Sequence, residues 1–151
     1  LESRAPGRPP SLMLDCEGLR ALALAGVEIG AHTQSHPILA SLDEADARDE
    51  IQGSKAALED ALQREVRFFA YPNGRAGADY LPEHVSLVRQ AGFSAALSTD
   101  GGANTPGVDP FQLQRFTPWD RNPFYFAARI AHHRGTARPG PSQQEDMDYE
   151  L

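Results

Sequence analysis

Between residues 27 and 97, short apolar runs alternate with longer amphipathic stretches, and no other feature limits the possible folds as strongly. Val27-Glu28-Ile29-Gly30-Ala31, Val66-Arg67-Phe68-Phe69-Ala70 and Phe93 to Leu97 read as strands, dense in β-branched and aromatic residues. The first two are separated by a helix announced at Ser41-Leu42-Asp43-Glu44. In this capping box Ser41 and Glu44 satisfy each other's backbone donors, and Ala47, Ile51, Leu58 and Leu62 follow at helical spacing. A second helix starts at Pro82, turns Val85 and Val88 inward and stops at Gly92. Strands joined by crossovers of a dozen or more residues run parallel with helices packed outside them, so the class is α/β. On the flanks, Asp15 to Ala25 reads as a helix capped by Asp15 and ended by Gly26. Phe111 to Phe116 reads as a last strand, and Asn122-Pro123 opens a final helix.

The chain has 151 residues, 40% of them hydrophobic, enough for one core. Residues 1–11 read as an irregular lead, 12–134 as the folded domain and 135–151 as a disordered acidic tail with little to bury. Fourteen basic against 21 acidic residues give a net charge of -7 without any basic cluster, which argues against a nucleic-acid partner. No apolar run approaches the roughly 18 residues of a membrane span, and LESRAPGRPP lacks the apolar core of a signal peptide, so a cytoplasmic location is the default expectation. The lone Cys16 excludes an internal disulfide and a cysteine-rich zinc module, and reads as a buried structural thiol.

In α/β folds ligands bind at the carboxyl ends of strands, which selects the loops after Ala31, Ala70 and Phe116. The first holds His32-Thr33-Gln34-Ser35-His36. Two imidazoles four residues apart can share one divalent ion such as zinc, which accepts neutral imidazole nitrogen. By spacing alone a structural pair is the alternative. Pro37 disfavours helix at His36, so the pair sits in a short loop. The second loop, Tyr71-Pro72-Asn73-Gly74, is a strong turn signal. His84 is expected to face water, and His132-His133 to form a solvated helix terminus.

Read together, GVEIGAHTQSHPILASLD and VRFFAYPNG closely resemble the polysaccharide deacetylase domain (NodB homology, carbohydrate esterase family 4). They match its H-[ST]-x-x-H motif and a variant of its F-A-Y-P-x-G motif, and GFSAALST and LQRFTPWDRNP fit a branch of that family. The resemblance covers about residues 12–134. It implies a partial irregular (β/α) barrel with parallel strands, and a hydrolase that removes acetyl groups from N-acetylated or O-acetylated glycans with one divalent metal. His32 and His36 would be metal ligands. Thr33 and Ser35 would orient the imidazoles or satisfy the turn, the latter favoured for Thr33. Asn73 would donate its backbone N–H to the oxyanion. Tyr71, Pro72, Gly74 and Trp119 would line the substrate groove, with Phe124 and Tyr125 as further ring faces.

Three departures accompany the likeness. Nothing in Leu1 to Leu14 resembles the family's T-F-D-D-G motif, so its general base and the third protein ligand are absent from this chain. Ala70 stands where the family has an arginine, Arg67 being three positions early, and Arg115 stands as a possible substitute for the family's histidine acid. With Leu1 in place of Met, these lead to the expectation of a carboxyl-terminal portion of such a domain, preceded by a β-α-β unit that would also hold any export signal. The edge of Val27 to Ala31, or an apolar patch on the first helix, should then lie uncovered. The alternatives are a non-catalytic glycan-binding or scaffold descendant, and an unrelated α/β domain with structural histidines.

Overall fold

In the computed structural model, residues 14–115 and 122–135 are described. The expected lead, the tail beyond residue 135, Phe116 and Trp119 lie outside them. Two strands, β1 (Phe68–Ala70) and β2 (Ala95–Leu97), pair in parallel with Phe68 opposite Ala95, Phe69 opposite Ala96 and Ala70 opposite Leu97. Ala31 adds a parallel bridge to Phe69 on one side and Leu113 a parallel bridge to Leu97 on the other. The α/β class and parallel order are as expected.

The two outer strands, however, shrink to single bridges. Ala31 N–H donates to the Phe68 carbonyl at 2.8 Å and Ala70 N–H to the Ala31 carbonyl at 2.9 Å. Before it, Gly30 supplies no side chain to pack, and a Cβ there would lie 3.1 Å from the Phe68 carbonyl oxygen. At the other side, Pro110 and the Asp109 carboxylate, which accepts from Phe111 N–H at 2.9 Å, wind Pro110–Gln112 into a 3₁₀ turn. Of the described residues in that stretch, Leu113 alone bridges.

Among the described residues four α-helices accompany the strands: α1 (Cys16–Leu24), α2 (Glu44–Leu62), α3 (Pro82–Gln90) and α4 (Pro123–Gly135). Helix α1 is capped by Asp15 as expected, its carboxylate accepting from Gly18 N–H at 2.8 Å. The cap of α2 is Asp43, accepting from Asp46 N–H at 2.9 Å, not Ser41. Leu39 is drawn fully into the core and winds Leu39–Ser41 into a 3₁₀ turn, so the Ser41 hydroxyl donates to the Ile38 carbonyl at 2.6 Å. Glu44 instead reaches Arg48 at 2.6 Å.

Helix α2 packs on α3, and α1 packs on α2. The core joins Ala47 and Ile51 from α2, Val85, Leu87 and Val88 from α3, Phe69 and Ala96 from the strands, and Tyr71, Tyr80, Phe93 and Phe111 from the connections. Leu58 and Leu62 pack at its margin. His84 belongs to this interior at 3% exposure, contrary to the water-facing expectation. Leu81, which precedes α3, has no side-chain acceptor, and His84 Nδ1 takes its N–H at 3.0 Å. Burial holds the imidazole below its ordinary value.

Helix α1 buries none of its residues, so Cys16 is exposed and the buried-thiol expectation fails. Leu22, Leu24 and Val27 are exposed beside a groove of about 200 Å³ lined by Arg20, Ala23, Leu24, Leu62 and Arg64. Among the described residues, nothing pairs with the far side of Ala31. In α4, Phe124, Tyr125 and His132 are exposed. No helix among the described residues is long and apolar enough to cross a membrane.

Candidate metal centre

Where the chain leaves Ala31, His32 emerges at the carboxyl end of the sheet. Its Nδ1 lies 2.7 Å from the carbonyl oxygen of Ala70, the last residue of β1. A carbonyl only accepts, so the contact requires the proton on Nδ1 and leaves the Nε2 lone pair available to a cation. The His36 ring stands edge-on to it, with centroids 4.8 Å apart and planes at 73°. Both side chains are exposed.

The loop between them adopts a backbone that few sequences tolerate. Thr33 and His36 have φ of 62° and 61°, in the left-handed region that non-glycine residues enter at a cost of about 1–3 kcal/mol each. Contacts on both sides hold it. The Thr33 hydroxyl donates to the His32 carbonyl at 2.6 Å and accepts from His36 N–H at 3.1 Å, which is the turn role favoured from sequence. Ser35 orients neither imidazole: its hydroxyl donates to Glu50 Oε1 at 2.5 Å. Glu50 Oε2 also accepts from Gln34 N–H at 2.7 Å and Ser35 N–H at 2.9 Å. The Ser35 hydroxyl first, then these backbone donors, hold the Glu50 carboxyl below its ordinary value against partial desolvation. Gly53 lets Gln34 lie across α2, where it donates to the Asp49 carbonyl at 3.0 Å; a Cβ at position 53 would collide with the Gln34 amide. Sequence reasoning missed Glu50, because its partners lie 15 and 16 residues away and no local pattern marks it.

The loop after β1 is the second wall. Tyr71 N–H donates to the Leu97 carbonyl at 3.1 Å, and Asn73 and Gly74 follow with φ of 55° and 79°. Gly74 is required by close approach, since a Cβ would lie 2.9 Å from both Thr99 N and the Tyr71 carbonyl oxygen. Thr99 N–H donates to the Gly74 carbonyl at 2.8 Å, and the Thr99 hydroxyl donates to the Asn73 carbonyl. Asn73 is exposed, and among the described residues nothing accepts its N–H.

The turn does not present Tyr71 to a ligand. The ring is 1% exposed, stacked on Tyr80 at 3.8 Å and 8° and crossed by Phe69, while its hydroxyl donates to the Phe111 carbonyl at 3.0 Å. Burial pushes that hydroxyl well above its ordinary value. This corrects the expectation of a sugar-facing ring: the residue is the floor of the turn. Pro72 and Gly74 are likewise buried, so Asn73 is the part of the turn that a ligand can reach. Arg115 is exposed, its N–H donating to the Asp100 carbonyl at 3.1 Å.

Two imidazoles, one with its tautomer set by Ala70, fit two positions around a divalent ion. Among the described residues no group of three or more His, Cys, Asp or Glu side chains is placed to hold one. The described residues therefore bring together two imidazoles in this loop and no third side chain of that kind.

Comparison with known proteins bears on the family and the fold. The family model for polysaccharide deacetylase matches residues 13–96. Similar solved structures include a polysaccharide deacetylase from Bacillus cereus, BC0361, at a TM-score of 0.68 and 20% identity, covering 81% of this chain and 38% of that one. The Streptococcus pyogenes deacetylase PplD in complex with acetate gives 0.65 and 20%, covering 72% and 46%. IcaB from Ammonifex degensii gives 0.60 and 21%, covering 80% and 52%. The chain thus spans about half or less of the length of these structures, and at such identities they establish the fold. No curated protein matches it in sequence. With the histidine loop, the proline turn and the matched span all in place, the chain belongs to the polysaccharide deacetylase family.

Proposed function

We propose that the domain of residues 12–134 takes part in hydrolysing acetyl groups from N-acetylated, or O-acetylated, carbohydrate polymers, with one divalent metal, zinc by its donors, held by His32 and His36. The observation that carries this reading is the His32 imidazole fixed to the Ala70 carbonyl at 2.7 Å with the His36 ring 4.8 Å away, at the carboxyl end of the sheet. Such a metal, when bound, polarises the acetyl carbonyl and lowers the pKa of a coordinated water. The chain's own residues contribute ligand nitrogens, an oxyanion donor and charge stabilisation. His32 and His36 present lone-pair nitrogens, which requires each ring to be in its neutral form with one N–H. The exposed Asn73 N–H, fixed by the Thr99 contacts around it, donates to the oxygen on which negative charge develops. Arg115 stands where a relative would place a histidine; a guanidinium keeps its proton, so its role is to stabilise charge rather than to deliver a proton. Trp119, Phe124 and Tyr125 offer ring faces to sugar units.

A second reading, glycan binding without hydrolysis, is favoured by Ala70 and Arg115 at the places of the family's arginine and histidine. Acetate release from N-acetylglucosamine oligomers in zinc-containing buffer separates the two. Release by the native chain that is lost in His32→Ala and His36→Ala supports hydrolysis. No release, with the oligomers still bound, supports the second reading. Release unchanged by both substitutions contradicts the assignment of the histidines.

A further inference from the structure

We propose that Glu50 is the positioning residue of the metal loop, the group that sets the separation of the two imidazoles from outside the metal's own ligands. The inference rests on the reading of His32 and His36 as ligands. Its ground is the placement of one carboxylate against the middle of the loop. Glu50 Oε2 accepts the consecutive N–H groups of Gln34 and Ser35 at 2.7 and 2.9 Å, and Oε1 accepts the Ser35 hydroxyl at 2.5 Å. These are the two residues between the left-handed positions Thr33 and the His36 ligand itself. Without an acceptor for both amides, the two positive φ angles are held only by the Thr33 hydroxyl, which bridges the His32 carbonyl and His36 N–H inside the loop and ties neither to the core, and the imidazoles lose their fixed separation.

The carboxylate is itself fixed. Glu50 is carried on α2, one residue before the fully buried Ile51 and three after the fully buried Ala47, so its backbone moves only with the core. The absence of a side chain at Gly53, one turn on, lets Gln34 cross the helix and adds its bond to the Asp49 carbonyl beside the carboxylate. The loop is therefore docked to α2 by four hydrogen bonds, three of them to Glu50, while His32 is docked to β1 by its own. The two ends of the site are held by different elements, and Glu50 is what refers the His36 end to the core.

The test is the zinc affinity of the full chain by calorimetry for the native protein, Glu50→Gln, Glu50→Ala, Ser35→Ala and His32→Ala, with melting temperature and amide hydrogen exchange of the zinc-free proteins. Loss of a group that orients ligands costs about 10- to 100-fold in metal affinity. The expected order of loss is Glu50→Ala, then Glu50→Gln, whose single amide oxygen cannot serve all three donors, then Ser35→Ala, which removes only the hydroxyl bond. Exchange should quicken at Gln34 and Ser35 in the Glu50 variants, with the α2 and β1 amides unchanged. Zinc affinity within twofold of native in Glu50→Ala, alongside a clear loss in His32→Ala, overturns the positioning role and leaves the ligand assignment standing. If His32→Ala also binds as the native chain does, the ligand assignment falls first and this inference with it. A Glu50→Gln protein that no longer melts cooperatively assigns Glu50 to the fold at large and overturns the proposal equally.

Discussion

Replacing Gly74 by alanine should separate two costs that are usually mixed, because Gly77, three residues on, serves as an internal control. Both glycines have left-handed backbone, with φ of 79° and 75°. An L side chain in that region costs roughly 1–2 kcal/mol. The reduced freedom of the unfolded chain offsets a few tenths to 1 kcal/mol in both variants alike. Their surroundings differ. A Cβ at Gly77 meets nothing within 4 Å, whereas at Gly74 it would lie 2.9 Å from Thr99 N, 2.9 Å from the Tyr71 carbonyl oxygen and 3.1 Å from Thr99 Cγ2. The first two are backbone atoms in a tied junction, since Thr99 N–H donates to the Gly74 carbonyl and Tyr71 N–H to the Leu97 carbonyl. Forcing them apart adds about 1–3 kcal/mol, as overpacking does elsewhere. Gly74→Ala should therefore lose about 2–4 kcal/mol, or about 8–16 °C at roughly 4 °C per kcal/mol for a domain of this size. Gly77→Ala should lose about 1 kcal/mol. Urea unfolding of the three proteins, with unchanged slopes, measures both. Equal losses at the two positions, or a Gly74→Ala protein within about 0.5 kcal/mol of native, would refute the claim that the turn after β1 is a close-packed wall.

The correction to the cap of α2 is testable in the same way: Asp43→Ala should cost about 1 kcal/mol and Ser41→Ala at most about 0.5, and the reverse order would restore the capping box. Tyr71→Phe should lower stability by about 1–3 kcal/mol by leaving the Phe111 carbonyl without its partner, with no change in affinity for N-acetylglucosamine oligomers; weakened sugar binding at unchanged stability would return Tyr71 to the groove. His84 makes stability depend on pH. Its folded value lies below 6.5, so the unfolded chain binds more protons as pH falls through that range. The contribution is complete above 6.5 and is lost as pH drops below it. Melting temperatures at pH 7.5 and 5.5 should therefore fall further for the native chain than for His84→Gln, and equal falls would contradict the buried cap.

Features whose causes lie within a few residues were legible in the sequence. Asp15 and Gly26 bound α1, Pro82 and Gly92 bound α3, and the His32–His36 spacing and the Tyr71-Pro72-Asn73-Gly74 turn are local patterns that the structure keeps. What escaped depends on partners distant in the chain. Glu50 is a helical residue like any other until the loop folds back onto it, and His84 reads as polar until the core closes over α3. The outer strands are shorter than their composition implies for a related reason. Val27 to Ala31 has strand composition, yet among the described residues only Ala31 finds a strand partner, and pairing rather than propensity makes a strand. The capping box failed by two residues because burial of Leu39 took Ser41 into an earlier turn, leaving Asp43 to serve α2.

The central claim is that one loop presents two imidazoles to a single ion, and X-ray absorption at the zinc edge of the zinc-loaded chain addresses it directly. The expected first shell contains two imidazole nitrogens at about 2.0–2.1 Å, falling to one in His32→Ala and in His36→Ala. A shell with no imidazole, or one unchanged by either substitution, would contradict it.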